Sequence, residues 1–217
     1  TINGGTGIAS VDGSAGSPGS RGTDANSGIF YAADAIKFAT GGTERMSITN
    51  SGFTGITQGI TYADLYRLTT DFDGNQDPAI TSNWERADSS DSGYIGGVAA
   101  PSSGVFSFPV TGIWRVEFNA YFASLNHENA WPSYGIKATV DNSNYTDVSN
   151  TSDTIYDGSD SWNYGTASMH GILDVDNVSN VKVKFYAIND GGSSSIRTRG
   201  NSGYNLTYVT FIRLGDT

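Results

Sequence analysis

From Gly112 to Ser124 the chain alternates without a break. Trp114, Val116, Phe118, Ala120 and Phe122 fall on one side, and Arg115, Glu117, Asn119 and Tyr121 on the other. A period of two residues predicts a strand with one buried face. Tyr134, Ile136, Ala138 and Val140 repeat the pattern against Lys137, Thr139 and Asp141; Val181, Val183, Phe185 and Ala187 repeat it against Lys182, Lys184, Tyr186 and Ile188. The run from Tyr204 to Leu214 differs, with Leu206, Tyr208 and Ile212 on one face and Val209 and Phe211 on the other. A strand apolar on both sides is expected to be covered on both, one face by the core and the other by a partner chain. Turn clusters such as Asn142-Ser143-Asn144 and Asn189-Asp190-Gly191-Gly192 separate these runs, which predicts a β-sandwich. No segment carries a helical period.

The first part of the chain, residues 1–57, is poorer in apolar residues and rich in glycine. Its clearest element is a hairpin: Ala35 to Thr40 and Thr43 to Ile48 alternate, and only Gly41-Gly42 lies between them. Two glycines suit the positive-φ turn of a two-residue hairpin loop. Ile29, Tyr31, Ile36, Phe38, Met46 and Ile48 are too few to enclose a core in one chain, so this segment is expected to bury them against copies of itself. Gly13, Gly16, Gly19 and Gly22 recur at every third residue, but with one intervening Pro they cannot sustain a collagen triple helix. The division expected is therefore 1–57, fibrous, and 58–217, globular.

Composition narrows the function. The 217 residues include 28 Gly and no Cys, which removes disulfides, thiolate metal sites and a cysteine nucleophile. A formal charge of -10 with no basic cluster argues against nucleic-acid binding, and no apolar run is long enough to insert in a membrane as a helix. The start, Thr1-Ile2-Asn3, lacks an initiator Met and a signal segment, and is expected to be a cut from a longer chain. A hydrolase would need a nucleophile with its base. His127 lies in an Asn-rich loop, His170 lies in a strand, and no Gly-x-Ser-x-Gly elbow is present. Only four Glu exist, and most Asp sit in turn contexts, so no enzyme activity is expected. Asp71, Asp73, Asn75 and Asp77 offer oxygens at alternate positions, as Ca²⁺ loops do, although the spacing of Gly74 and the missing closing Glu exclude the helix-flanked form. They are a candidate Ca²⁺ site, with a solvated turn as the alternative; no other cofactor is expected. Trp131, Tyr134, Tyr145, Tyr156, Trp162 and Tyr164 lie in or beside loops rich in Asn, Asp and Ser. Flat rings next to short polar groups suit a glycan or a protein epitope, which makes these six the candidate receptor-binding residues.

Two resemblances extend this reading. The stretch from Gly104 to Phe118, with Phe106, Pro109, Gly112, Trp114, Val116 and Phe118 in place, resembles the signature of the tumour-necrosis-factor-like jelly roll, in particular its complement globular-head branch. Ser168 to Val175, Val181 to Ala187 and Tyr204 to Leu214 follow in that family's order, although Val209-Thr210-Phe211 departs from its usual Phe-Ser-Gly. This likeness covers about residues 60–217. Ser27-Gly28-Ile29-Phe30-Tyr31, Asp34 to Phe38, Gly41-Gly42-Thr43-Glu44-Arg45-Met46-Ser47-Ile48 and Ser51-Gly52 resemble a repeat of phage tail proteins, with Ser27 replacing the usual Thr. In that family the segment is fibrous and trimeric.

Together the resemblances imply an all-β homotrimer, an intertwined β shaft bearing a jelly-roll head, at the distal tip of a phage tail fibre or spike. Such a virion protein acts outside the cell and binds a host surface glycan or protein. Tyr121, Tyr186, Val209 and Phe211 are the expected trimer-interface side chains. A capsule or lipopolysaccharide depolymerase, and a secreted jelly-roll signalling or defence ligand, are the alternatives.

Overall fold

A computed structural model describes residues 12–55, 59–124, 131–155, 163–189 and 196–217. Every regular element among them is a strand. The chain divides into two compact units, Thr1–Gly59 and Ile60–Thr217.

In the first unit a short pair, β1 (Gly13–Ser14) and β2 (Ser17–Pro18), precedes a five-stranded antiparallel meander. Its strands are β3 (Ser20–Arg21), β4 (Gly28–Ala32), β5 (Ala35–Thr40), β6 (Thr43–Thr49) and β7 (Gly52–Thr54). The two-residue turn falls where the sequence puts it: Thr40 pairs with Thr43, and Gly41 and Gly42 take φ of 58° and 76°. A side chain at Gly41 would meet nothing, so backbone conformation alone selects glycine there. The ladder closes within the chain and aligns Tyr31, Ile36, Ile48 and Phe53 side by side across four strands. All four are exposed.

The second unit is a sandwich of two antiparallel sheets. One runs in the order β10 (Trp84–Arg86), β8 (Ala63–Leu68), β18 (Tyr208–Gly215), β12 (Gly112–Ser124), β15 (Asn163–Val175), with β17 (Ile196–Thr198) and β9 (Phe72–Asp73) continuing beside the far end of β12. The other is β11 (Val105–Ser107), β16 (Lys182–Ile188), β13 (Ser133–Thr139), β14 (Thr146–Ser152). The chain crosses from one sheet to the other between β12 and β13 and again between β14 and β15, so β12 and β15 pair over their full length although β13 and β14 lie between them in sequence. That crossing makes the unit a jelly roll.

The side chains that alternate inward on β12 meet those of β13, β16 and β18 in one core. Phe106, from β11, sits at its centre, with ring centroids of Tyr66, Phe211, Phe185 and Trp84 between 5.2 and 5.8 Å away, three of the four edge-on. Three aromatic side chains carried into this core have their polar atoms bonded. Tyr66 Oη donates to Val98 O (2.8 Å), Trp84 Nε1 to Ile80 O (2.9 Å), and Tyr134 Oη meets Thr198 Oγ1 at 2.8 Å. The buried carboxylate of Asp64 accepts from Arg86 Nε and Nη2 (3.0 and 2.9 Å) and from the Val98 amide (2.6 Å).

Candidate recognition surfaces

Each sheet of the sandwich turns one face outward. On the first, β12 presents Arg115, Glu117, Asn119 and Tyr121. Across the ladder these face Ile172, His170, Ser168 and Thr166 on β15, and, for the first three, Ile212, Thr210 and Tyr208 on β18. Beyond β18 come Ala63, Leu65 and Arg67 of β8. The face mixes apolar and charged groups. Arg115 pairs with Glu117 at 3.1 Å, Arg67 is buried between Glu85 and Asp88, and Ile172 is 54% exposed. At one end, Asn119, Tyr121, Thr166, Asn205, Leu206 and Tyr208 enclose a recess of about 290 Å³. Tyr121 forms part of its wall, held by stacking on Tyr164 (5.6 Å between centroids, 7° between planes) and by its amide donating to Thr207 Oγ1 at 3.0 Å.

On the second sheet the outward face gathers lysines and tyrosines. Lys137 of β13 lies directly opposite Lys184 of β16, and Thr139 opposite Lys182. The Lys184 ammonium sits 3.8 Å from the centre of the Tyr145 ring, and that of Lys137 4.4 Å from the Tyr186 ring while donating to Asp77 Oδ1 at 3.0 Å. Gly135 makes room for this stack, since a Cβ there would collide with the Tyr186 ring. Burial, and then Asp147 accepting its hydrogen bond, push the Tyr186 phenol up to about 12. The folded state therefore favours the protonated phenol. That stabilisation is held below the ordinary phenol value of 10.0 and is lost as pH rises through about 12. Ultraviolet titration should show a phenol ionising near pH 12, and Tyr186→Phe should remove it. A Tyr186→Phe difference curve centred near the ordinary value of 10.0 would contradict the assignment.

The structure corrects several expected sites. Val209 and Phe211 do not form an outer face, because both are fully buried in the chain's own core and the outward residues of β18 are Tyr208, Thr210 and Ile212. Tyr186 does point outward but lies beneath Lys137 and is only 4% exposed. Of the expected interface set, Tyr121 alone stands at an open face. Tyr134 is no recognition residue: it points into the core, 5.2 Å from Phe122 and 6.0 Å from Phe118, and burial holds its phenol above its ordinary range. Trp131 and Tyr164 are each 51% exposed, and Tyr145 is half-buried under Lys184. Tyr156, Trp162 and His127 lie outside the described residues. His170 is exposed on β15, across from Glu117.

The acidic loop does not converge on an ion. Asp71 pairs with Arg199 (3.0 Å), Asp73 with Arg197 (2.7 Å) and Asp77 with Lys137, while Asn75 Oδ1 accepts the Asn189 amide at 2.6 Å. Arg197 bonding holds the Asp73 carboxyl below its usual range. The oxygens expected to hold Ca²⁺ are thus tied to three separate cations, and among the described residues no three His, Asp or Glu side chains cluster as metal ligands.

No family model matches the chain, and no curated protein sequence matches it. Among solved structures it is similar to the Eiger TNF of S. frugiperda, with a TM-score of 0.54 and 12% identity, over 74% of this chain and 96% of that one. At that identity the likeness speaks to fold alone, and the fold is the tumour-necrosis-factor-like jelly roll.

Proposed function

We propose that the chain is the receptor-binding head of a homotrimer, borne on a fibrous β segment at the tip of a phage tail fibre or spike, and that it attaches to a glycan or protein of the host surface. The observation that carries this reading is the open outer face of β15, β12 and β18. Ile172, Ile212, Tyr121 and Tyr208 together exceed what a polar sheet face needs, and they lie beside strands whose other sides already fill a complete core. The exposed row Tyr31, Ile36, Ile48 and Phe53 supports the same arrangement in the first unit, where a copy of the meander would cover it. Three copies present three equal sites, so weak contacts sum to firm adhesion through effective concentration. No bond is made or broken in this reading.

Light scattering should return three times the 22.9 kDa of one chain; a monomer at micromolar concentration would defeat the proposal. A second reading, a secreted signalling ligand, draws on the likeness to Eiger TNF. Labelled protein added to bacterial and to insect cells separates the two. Adhesion to bacteria, reduced in Trp131→Ala, is the outcome expected here, and binding restricted to animal cells would favour the ligand.

A further inference from the structure

Three of the chain's four lysines, Lys137, Lys182 and Lys184, stand together on the outer face of β13 and β16, in a molecule with a formal charge of -10. Lys137 and Lys184 oppose each other directly, an arrangement of like charges that costs stability in a sheet. The sandwich core gains nothing from either ammonium. Both are nonetheless held in place, each above a tyrosine face. Lys137 is partnered by Asp77, and Lys182 donates to Val178 O at 2.6 Å. No carboxylate among the described residues forms an ion pair with Lys184. Its ammonium is thus a fixed, partly exposed positive charge, reached only at longer range by Asp77, the carboxylate already bonded to Lys137. Burial, and then the neighbouring Lys137, lower its proton affinity, with Asp77 acting in the opposite sense. At physiological salt, charges more than about 8 Å away are largely screened, so the three lysines with Asp77 and Asp147 beside them, rather than the net charge, decide what approaches this face.

We propose that this face binds the oxyanion of an acidic saccharide, with Lys184 as the principal contact and Lys137 as the second. The edge strand β14 beside it places exposed Asn150 opposite Gly135 on the same face, a group suited to sugar hydroxyls, and sets Asp147 opposite Lys137, which leaves Lys184 as the cation farther from that carboxylate. The inference deepens the attachment reading by naming the chemical class of the receptor. A carboxylate and a phosphate on the sugar supply the same oxyanion chemistry, and the test distinguishes them.

Binding of the full chain to immobilised polygalacturonate (carboxylate), phosphomannan (phosphate on the sugar) and dextran (neutral) would be measured at low and high salt. One or both acidic polymers should bind, dextran should not, and high salt should weaken binding. Lys184→Gln should weaken it roughly fivefold or more, Lys184→Arg should restore it, and Asp77→Asn, which frees Lys137, should strengthen it. Failure of both acidic polymers, equal binding of dextran, or a Lys184→Gln protein that binds as the parent does would overturn the proposal. Because the assay reads polymer binding by monomer or trimer alike, a monomeric mass would defeat the assembly reading and leave this one standing.

Discussion

Phe106→Ala should destabilise the head by about 3–5 kcal/mol, the range for removing a large aromatic side chain from a packed core. Phe106 has no exposed surface, and its ring contacts those of Tyr66, Trp84, Phe185 and Phe211, which come from β8, β10, β16 and β18. One side chain therefore ties both sheets together. Those neighbours are themselves constrained, since Tyr66 is pinned to Val98 and Trp84 to Ile80, so they cannot collapse into the space left. Against a total stability of about 5–15 kcal/mol, typical of single domains, a loss of that size is a large fraction. Urea unfolding followed by tryptophan fluorescence measures it. Phe106→Leu, which keeps most of the volume, should lose about half as much or less. A Phe106→Ala loss under 1 kcal/mol would mean that this ring is not the keystone of the sandwich.

The strands were legible because their burial is one-sided. On β12 the sequence separates five apolar from four polar positions, and the observed strand spans the same thirteen residues, Gly112–Ser124. The Gly41-Gly42 turn was legible for a different reason: two positive-φ residues between alternating runs leave few other geometries. Where both faces of a strand are apolar, periodicity names two faces and cannot say which is inward. On β18 the choice is made by register. Glu117 lies opposite Thr210 and Phe118 opposite Val209, so Val209 and Phe211 follow Phe118 into the core and Tyr208 and Ile212 face out. Tyr134 misleads in the same way, because the polar residues around it belong to the outer face of its strand while its own ring points inward.

The sites were less legible, because their charges come from distant parts of the chain. Asp71, Asp73 and Asp77 look like a cation loop when read alone. Their actual partners, Arg199, Arg197 and Lys137, lie 60 or more residues downstream and arrive only through the folded topology. The lysine face was hidden by the same distance: Lys137 and Lys184 are each unremarkable on their own strand and become a pair only when β13 and β16 are brought into register. The cross-strand equivalent of alternation, which residue stands opposite which, is the signal that would have found them, and it requires the sheet order.

The second large effect concerns assembly. Ile172→Asp combined with Ile212→Asp should convert the proposed trimer to monomers without unfolding the head. Both side chains point away from the core, on β15 and β18, on either side of Arg115. Ile172 is more than half exposed in the isolated chain, so a carboxylate there remains hydrated in a monomer. At a subunit contact the same carboxylate would be stripped of water, and each isoleucine would forfeit about 2 kcal/mol of apolar burial. Two such losses amount to roughly a thousandfold in the association constant per contact. Sedimentation should therefore show a single-chain mass with an unchanged circular dichroism spectrum. If the double variant still sediments as the parent trimer, the outer face of this sheet is not where the copies meet, and the exposed row of the first unit becomes the site that must hold them together.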